Sequence, residues 1–168
     1  MTFTHEFTKI KGIGIGYSAA QIGKLKVGVA VVLNSYGDIY SAGKKIAGMR
    51  TPDGKAFADS YETLLKVTAG NLFTSTTNTT LAAVFTNGDF TPAELKHLAQ
   101  MASAGMARSI RPAFTSADGD TVYALSVGEE KESVADASID ATGALAATLL
   151  EEAIADAVRS AAGDSTRR

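Results

Sequence analysis

The sequence predicts mixed α and β layers, an α/β (α+β layered) fold, and three observations carry that expectation. Val27-Gly28-Val29-Ala30-Val31-Val32-Leu33 is an unbroken apolar run rich in β-branched residues. Thr91-Pro92-Ala93-Glu94 opens a long stretch with helical spacing, and residues 140–162 form a second, alanine-rich one. Strands and one-sided helices of this kind must cover one another to leave water. At 168 residues and 45% hydrophobic content, the chain is sized for a single domain spanning 1–168.

In chain order, the run Val27–Leu33 reads as a fully buried strand closed by the turn Asn34-Ser35-Tyr36-Gly37-Asp38, which leaves Asn34 at a strand mouth. Glycines, Pro52 and charges make residues 44–59 a surface loop. Residues 60–69 follow as a short helix with Tyr61, Leu64, Leu65 and Thr68 on one face. The hydroxyl-rich tract Thr74-Ser75-Thr76-Thr77-Asn78-Thr79-Thr80 then runs directly into the apolar strand Leu81-Ala82-Ala83-Val84-Phe85. Thr91, Pro92 and Glu94 have the N-cap hydroxyl, first-turn proline and returning carboxylate of a capping box. Behind them Leu95, Leu98, Ala102, Met106 and Ile110 fall on one helical face, until Arg111-Pro112 ends the helix. Residues 115–120 are a turn-rich loop, 121–127 a strand and 129–136 a charged loop. Leu145, Leu149, Ile154 and Val158 mark the buried stripe of the last helix, which Gly163 can terminate.

Composition excludes several kinds of chemistry. Sixteen basic and eighteen acidic residues give a net charge of −2 with no basic stripe, which argues against a nucleic-acid partner. The absence of cysteine removes disulfides, thiolate metal sites and a cysteine nucleophile. The longest apolar run is too short to span a bilayer, and the first residues lack the features of a signal peptide. No membrane partner and a cytoplasmic location are therefore expected. Gly12, Gly14 and Gly16 are spaced GxGxG but lack the further glycine of a dinucleotide loop. His97 lies off the apolar stripe of its helix and His5 near the start of the chain, so neither is placed as a general base. No cofactor and no metal are expected.

Two short motifs remain. Asn78-Thr79-Thr80 fits the acceptor pattern for N-glycosylation, although nothing signals secretion, and by composition alone its tract is a solvated loop. A threonine hydroxyl becomes a useful nucleophile only beside a base, and one such base is its own α-amine after backbone cleavage, titrating near pH ~8. Asp118-Gly119-Asp120 admits three readings: a plain turn, a fragment of a cation loop, or paired carboxylates that steer a proton. Thr121, Val122 and Tyr123 do not continue the regular oxygen spacing that a calcium loop needs.

Taken together, four blocks resemble the aminopeptidase/D-esterase family, which also contains β-peptidyl aminopeptidases and nylon-oligomer hydrolases. The first runs from Gln21 through Val32-Leu33-Asn34-Ser35-Tyr36-Gly37-Asp38, similar to the family's strand and Asn-x-x-Gly-Asp turn. The second, Asn78-Thr79-Thr80-Leu81, resembles its self-cleavage junction. The third is the helix from Leu98 to Arg108 leading into Ile110-Arg111-Pro112, and the fourth is Asp118-Gly119-Asp120-Thr121-Val122-Tyr123-Ala124-Leu125.

The resemblance implies a self-processing N-terminal-nucleophile hydrolase cleaving amide bonds of small peptides or amides. The bond between Asn78 and Thr79 would break, leaving an α-chain-like segment, 1–78, and a β-chain-like segment, 79–168. Thr79 would act as nucleophile and, through its amine, as base. The Asn34 side chain would donate to the oxyanion, where one donor is worth about 3 kcal/mol of barrier. Asp118 and Asp120 match an acidic pair beside the nucleophile of nylon-oligomer hydrolases. Lys9 or Lys11 stands near the position of a family lysine. A four-layer αββα sandwich, of which this chain forms part or all, and a homo-oligomer, a tetramer, are also implied. Only 78 residues precede Thr79, fewer than in the family, so a fragment, a truncated gene or one piece of a larger assembly is a further expectation. A non-catalytic remnant and an acyltransferase of the same fold are the alternative functions.

Overall fold

The computed structural model describes residues 13–68, 78–116, 118–127 and 134–163. Its main sheet has four strands: β1 (Ile13–Ile22), β2 (Leu25–Asn34), β5 (Leu81–Thr86) and β7 (Thr121–Ser126), adjacent in that order. The pairs β1/β2 and β2/β5 are antiparallel, while β5 and β7 run parallel. A smaller sheet pairs β3 (Asp38–Ser41) with β4 (Lys44–Ala47) on one side and β6 (Ile110–Arg111) on the other. The helices are α1 (Ser60–Thr68), α2 (Pro92–Ser109) and α3 (Ile139–Ala161).

Both long helices lie on one face of the main sheet. Val27, Val29, Val31 and Leu33 of β2, with Ala82 and Val84 of β5, point into a core completed by Leu98, Ala102 and Met106 of α2 and Leu149, Leu150, Ala153 and Ile154 of α3. The strands alternate, as a sheet with a single covered face must. Val32, expected inside a fully buried run, is therefore 51% exposed. Ile15, Tyr17, Leu81, Phe85, Tyr123 and Leu125 share that outward register with it and are exposed too. Of the four-layer sandwich implied by the resemblance, the described residues thus supply one helical layer and the sheet it covers.

The capping box forms as its residue types require. The Glu94 N–H donates to the Thr91 hydroxyl at 3.3 Å, and the Thr91 N–H returns to the Glu94 carboxylate at 2.8 Å. Two glycines of the GxGxG spacing, Gly14 and Gly16, have a packing explanation. A Cβ at Gly16 would stand 1.9 Å from the Ala153 carbonyl oxygen, so glycine lets β1 lie directly on α3. Asp156 of α3 in turn accepts the Tyr17 N–H of this edge strand at 2.9 Å.

Other expectations are corrected. Residues 44–59 are not all loop, because Lys44–Ala47 form β4. Ser60–Thr68 is helical, but Tyr61 and Leu65 of the expected stripe are exposed. The strand β1 was not anticipated: its glycines and alternating small residues obscure the usual β-branched signal. His5, Lys9, Lys11 and the tract 74–77 lie outside the described residues.

Candidate functional site

At the Asn34 end of the main sheet, three strands bring one row of residues together. The β2/β5 register, continued beyond Val32↔Leu81, sets Thr79 opposite Asn34, and the Thr79 N–H donates to the Asn34 carbonyl at 2.8 Å. On the other side an isolated parallel bridge pairs Asn78 with Asp118, and the Gly119 N–H donates to the Asn78 carbonyl at 2.9 Å. Asn34, Thr79 and Gly119 therefore form a cross-strand row in the register of the uncovered face.

The peptide bond between Asn78 and Thr79 is held by both neighbouring strands. The Thr79 hydroxyl donates to the carbonyl oxygen of that same bond at 2.6 Å. Asn78 is buried and Thr79 half-buried. Thr80 is fully buried, and among the described residues its side-chain oxygen has no hydrogen-bond partner.

Asp120 accepts from two backbone N–H groups, and Asp118 from one hydroxyl and one backbone N–H. A regular parallel ladder would return the Thr80 N–H to the Gly119 carbonyl. Here the Asp120 carboxylate takes that N–H at 2.8 Å and, with its second oxygen, the Phe114 N–H at 3.0 Å. The Gly119 carbonyl accepts the Thr121 hydroxyl at 3.1 Å instead. Asp118 accepts the Thr115 hydroxyl at 2.6 Å and, more weakly, the Tyr36 N–H at 3.4 Å. Each carboxylate thus ties the loop before β7 to a neighbouring segment: Asp118 to the turn after β2, Asp120 to the start of β5. Burial pushes the Tyr36 phenol above its ordinary value, and the charges of Asp118 and Asp38 push it the same way.

Behind this turn lies a second polar cluster. Asp38 is 1% exposed and accepts from Lys45 Nζ at 2.6 Å, from the Ser60 hydroxyl at 2.8 Å and from the Ser60 N–H at 3.0 Å. It anchors β4 and the start of α1 to the turn that follows Asn34. Burial works against the charge on Lys45, but the hydrogen bond and charge of Asp38, with Tyr40 and Asp59, outweigh it and raise its pKa.

All four of Asn34, Thr79, Asp118 and Asp120, chosen from sequence, meet at one end of the sheet. Sequence reasoning missed the Gly119 N–H and the Tyr36 backbone. The only signal for the first was a glycine between two aspartates; for the second there was none.

The chain matches the model of peptidase family S58 over residues 5–168. An uncharacterised aminopeptidase of Mycobacterium leprae is 34% identical over 111 residues, covering 61% of this chain and 29% of the relative. A 6-aminohexanoate-oligomer endohydrolase of Kocuria is 33% identical over 90 residues, covering 49% and 25%. The solved L-aminopeptidase D-Ala-esterase/amidase of Ochrobactrum anthropi, a variant of the Ntn-hydrolase fold, superposes with a TM-score of 0.54 at 20% identity. That match covers 90% of this chain and 41% of the other. The similarity establishes the shared fold, and the chain spans under half the length of each of these proteins.

Proposed function

The chain belongs to peptidase family S58, and from that premise we propose that it is a self-processing N-terminal-nucleophile hydrolase acting on amide bonds of small peptides, with Thr79 as nucleophile. The observation that carries this reading is the Thr79 hydroxyl lying 2.6 Å from the carbonyl oxygen of its own preceding peptide bond. Attack on that carbonyl would release the Thr79 nitrogen as an α-amine, the base that a threonine hydroxyl otherwise lacks. In the processed protein the Asn34 carbonyl, which now accepts the Thr79 N–H, is positioned to hold that amine. Asn34 would contribute its side-chain amide to the oxyanion, and Asp118 and Asp120 would keep the strand ends in register.

Intact-mass spectrometry of the purified chain tests the first step. Two fragments are expected, the second beginning at Thr79, and Thr79→Ala should remain whole. A wild-type chain that stays intact on long incubation would sink self-processing. Release from a panel of amino-acid amides, with and without an added amine acceptor, then separates hydrolysis from acyl transfer.

A second reading has its own support. The outward face of the main sheet exposes Val32, Leu81, Phe85 and Tyr123, and Thr79 shares their register. A layer covering this face would also wall the nucleophile, so the chain would work as one piece of a larger assembly, including a homo-oligomer. Amidase activity that appears only when another polypeptide or a second copy covers the face would favour this reading.

A further inference from the structure

We propose that the main-chain N–H of Gly119 is the oxyanion donor for cleavage of the Asn78–Thr79 bond. This rests on the self-processing reading and assigns it a group that no side-chain motif announces.

In the cleavage step Thr79 Oγ1 adds to the carbonyl carbon of Asn78, and its proton passes to the Thr79 nitrogen as the carbon–nitrogen bond breaks. An ester then joins the Asn78 acyl group to the Thr79 oxygen. Water adds to it, releasing the Asn78 carboxyl group and restoring the hydroxyl. In both additions negative charge gathers on the Asn78 carbonyl oxygen.

Among the described residues that oxygen has two donors, the Thr79 hydroxyl at 2.6 Å and the Gly119 N–H at 2.9 Å. The hydroxyl is the attacking group and cannot remain a donor as its oxygen bonds to carbon. The Gly119 N–H is left on the oxyanion, already at hydrogen-bond distance, so little reorganisation is needed as charge develops. Its neighbours hold it there. Asp120 engages the Thr80 N–H at 2.8 Å, the Thr121 N–H donates to the Thr80 carbonyl at 3.0 Å, and the Asp118 N–H donates to the Thr115 carbonyl at 3.0 Å.

The residue type follows from space. Gly119 is not in the left-handed region, but a Cβ there would stand 2.7 Å from Thr79 Oγ1. Glycine leaves the nucleophile room to turn from the carbonyl oxygen towards the carbonyl carbon.

The test replaces Gly119 with glycolic acid in the full-length chain, exchanging the N–H for an ester oxygen without adding a side chain. Cleavage is scored only by the intact masses of fragments 1–78 and 79–168 beside the wild type, with hydroxylamine added to the wild type alone to trap the Thr79 ester. Cleavage slowed about a hundredfold or more, with an unchanged circular dichroism spectrum, supports the proposal. Wild-type cleavage with an equally fast glycolic acid variant overturns it and leaves self-processing standing. A wild-type chain that neither cleaves nor yields to hydroxylamine overturns both. Should the variant misfold, the 15N–13C coupling across the hydrogen bond from Gly119 to Asn78, measured by NMR in full-length Thr79→Ala, decides: its absence overturns the proposal and its presence supports it.

Discussion

The main-chain carbonyl of Asn34 accepts the Thr79 N–H at 2.8 Å, carrying the β2/β5 ladder one rung past the strand and onto the Asn78–Thr79 peptide bond. This bond does not depend on the asparagine side chain. Asn34→Ala should therefore keep the fold and its melting temperature while slowing acyl transfer about a hundredfold, the effect of losing one oxyanion donor. Asn34→Asp, which replaces a donor with an acceptor, should not rescue the rate. Single-turnover kinetics alongside thermal melts check this, and an Asn34→Ala chain of wild-type rate would exclude the side chain from the reaction.

Asp120 offers a different kind of prediction, because its carboxylate holds two backbone N–H groups, from Thr80 and Phe114. Asp120→Ala leaves both without their acceptor and should destabilise the chain by about 2 kcal/mol. Asp120→Asn retains one acceptor oxygen and should fall between it and the wild type. Urea unfolding of the three chains gives the ranking; equal midpoints would show that solvent replaces the carboxylate.

Thr80 is 0% exposed, and its hydroxyl lacks a hydrogen-bond partner among the described residues. Its own main-chain N–H and carbonyl bond Asp120 and Thr121, and both bonds would survive substitution. Thr80→Val, close in shape and without the buried hydroxyl, is expected to stabilise the chain by about 1 kcal/mol. A lower melting temperature for Thr80→Val would show that this hydroxyl has a role the static geometry does not reveal.

Lys45 neutralises the buried Asp38. Lys45→Met leaves that carboxylate, among the described residues, with the Ser60 contacts alone and should cost about 3 kcal/mol near neutral pH. Because the folded-state pKa of Lys45 is raised, its contribution is complete below the ordinary lysine pKa and is lost as pH rises through the folded value. The stability gap between wild type and Lys45→Met should therefore shrink at strongly alkaline pH. A gap that stays constant there would refute the linkage.

The uncovered sheet face carries Tyr123 at 58% exposure, with Val32 and Phe85 in the same outward register. A contiguous apolar surface of this kind is unusual on a monomer. The isolated chain is expected to bind a hydrophobic dye and to associate in light scattering. The double substitution Val32→Glu and Tyr123→Lys should reduce both without changing the far-ultraviolet spectrum. A monomeric wild-type chain that binds no dye would remove the basis for an assembly role.

Much of this organisation was legible before any coordinates. The capping box at Thr91 and Glu94 declared the start of α2 because its chemistry is local, two residues three positions apart satisfying one another. Apolar spacing likewise identified the faces of α2 and α3, with Leu98, Met106, Leu149 and Ile154 all buried. Other features were hidden because they depend on distant partners. Gly14 and Gly16 are glycines because α3 lies on them, and the spacing of three residues carries no trace of a helix some 140 positions away. Val32 looked buried because an apolar run does not say how many of its faces will be covered.

By itself the sequence determined the residue types of the site: a threonine after an asparagine, an asparagine at the mouth of a strand, and two aspartates around a glycine. Their chemistry is carried in their side chains. The tertiary structure decided what each one touches. Asp118 and Asp120 reach backbone N–H groups and the Thr115 hydroxyl, and the Asn34 carbonyl meets Thr79. The Gly119 N–H on the Asn78 carbonyl could come only from folding. Every residue but proline has that donor, and only the pairing of distant strands selects which one faces the bond.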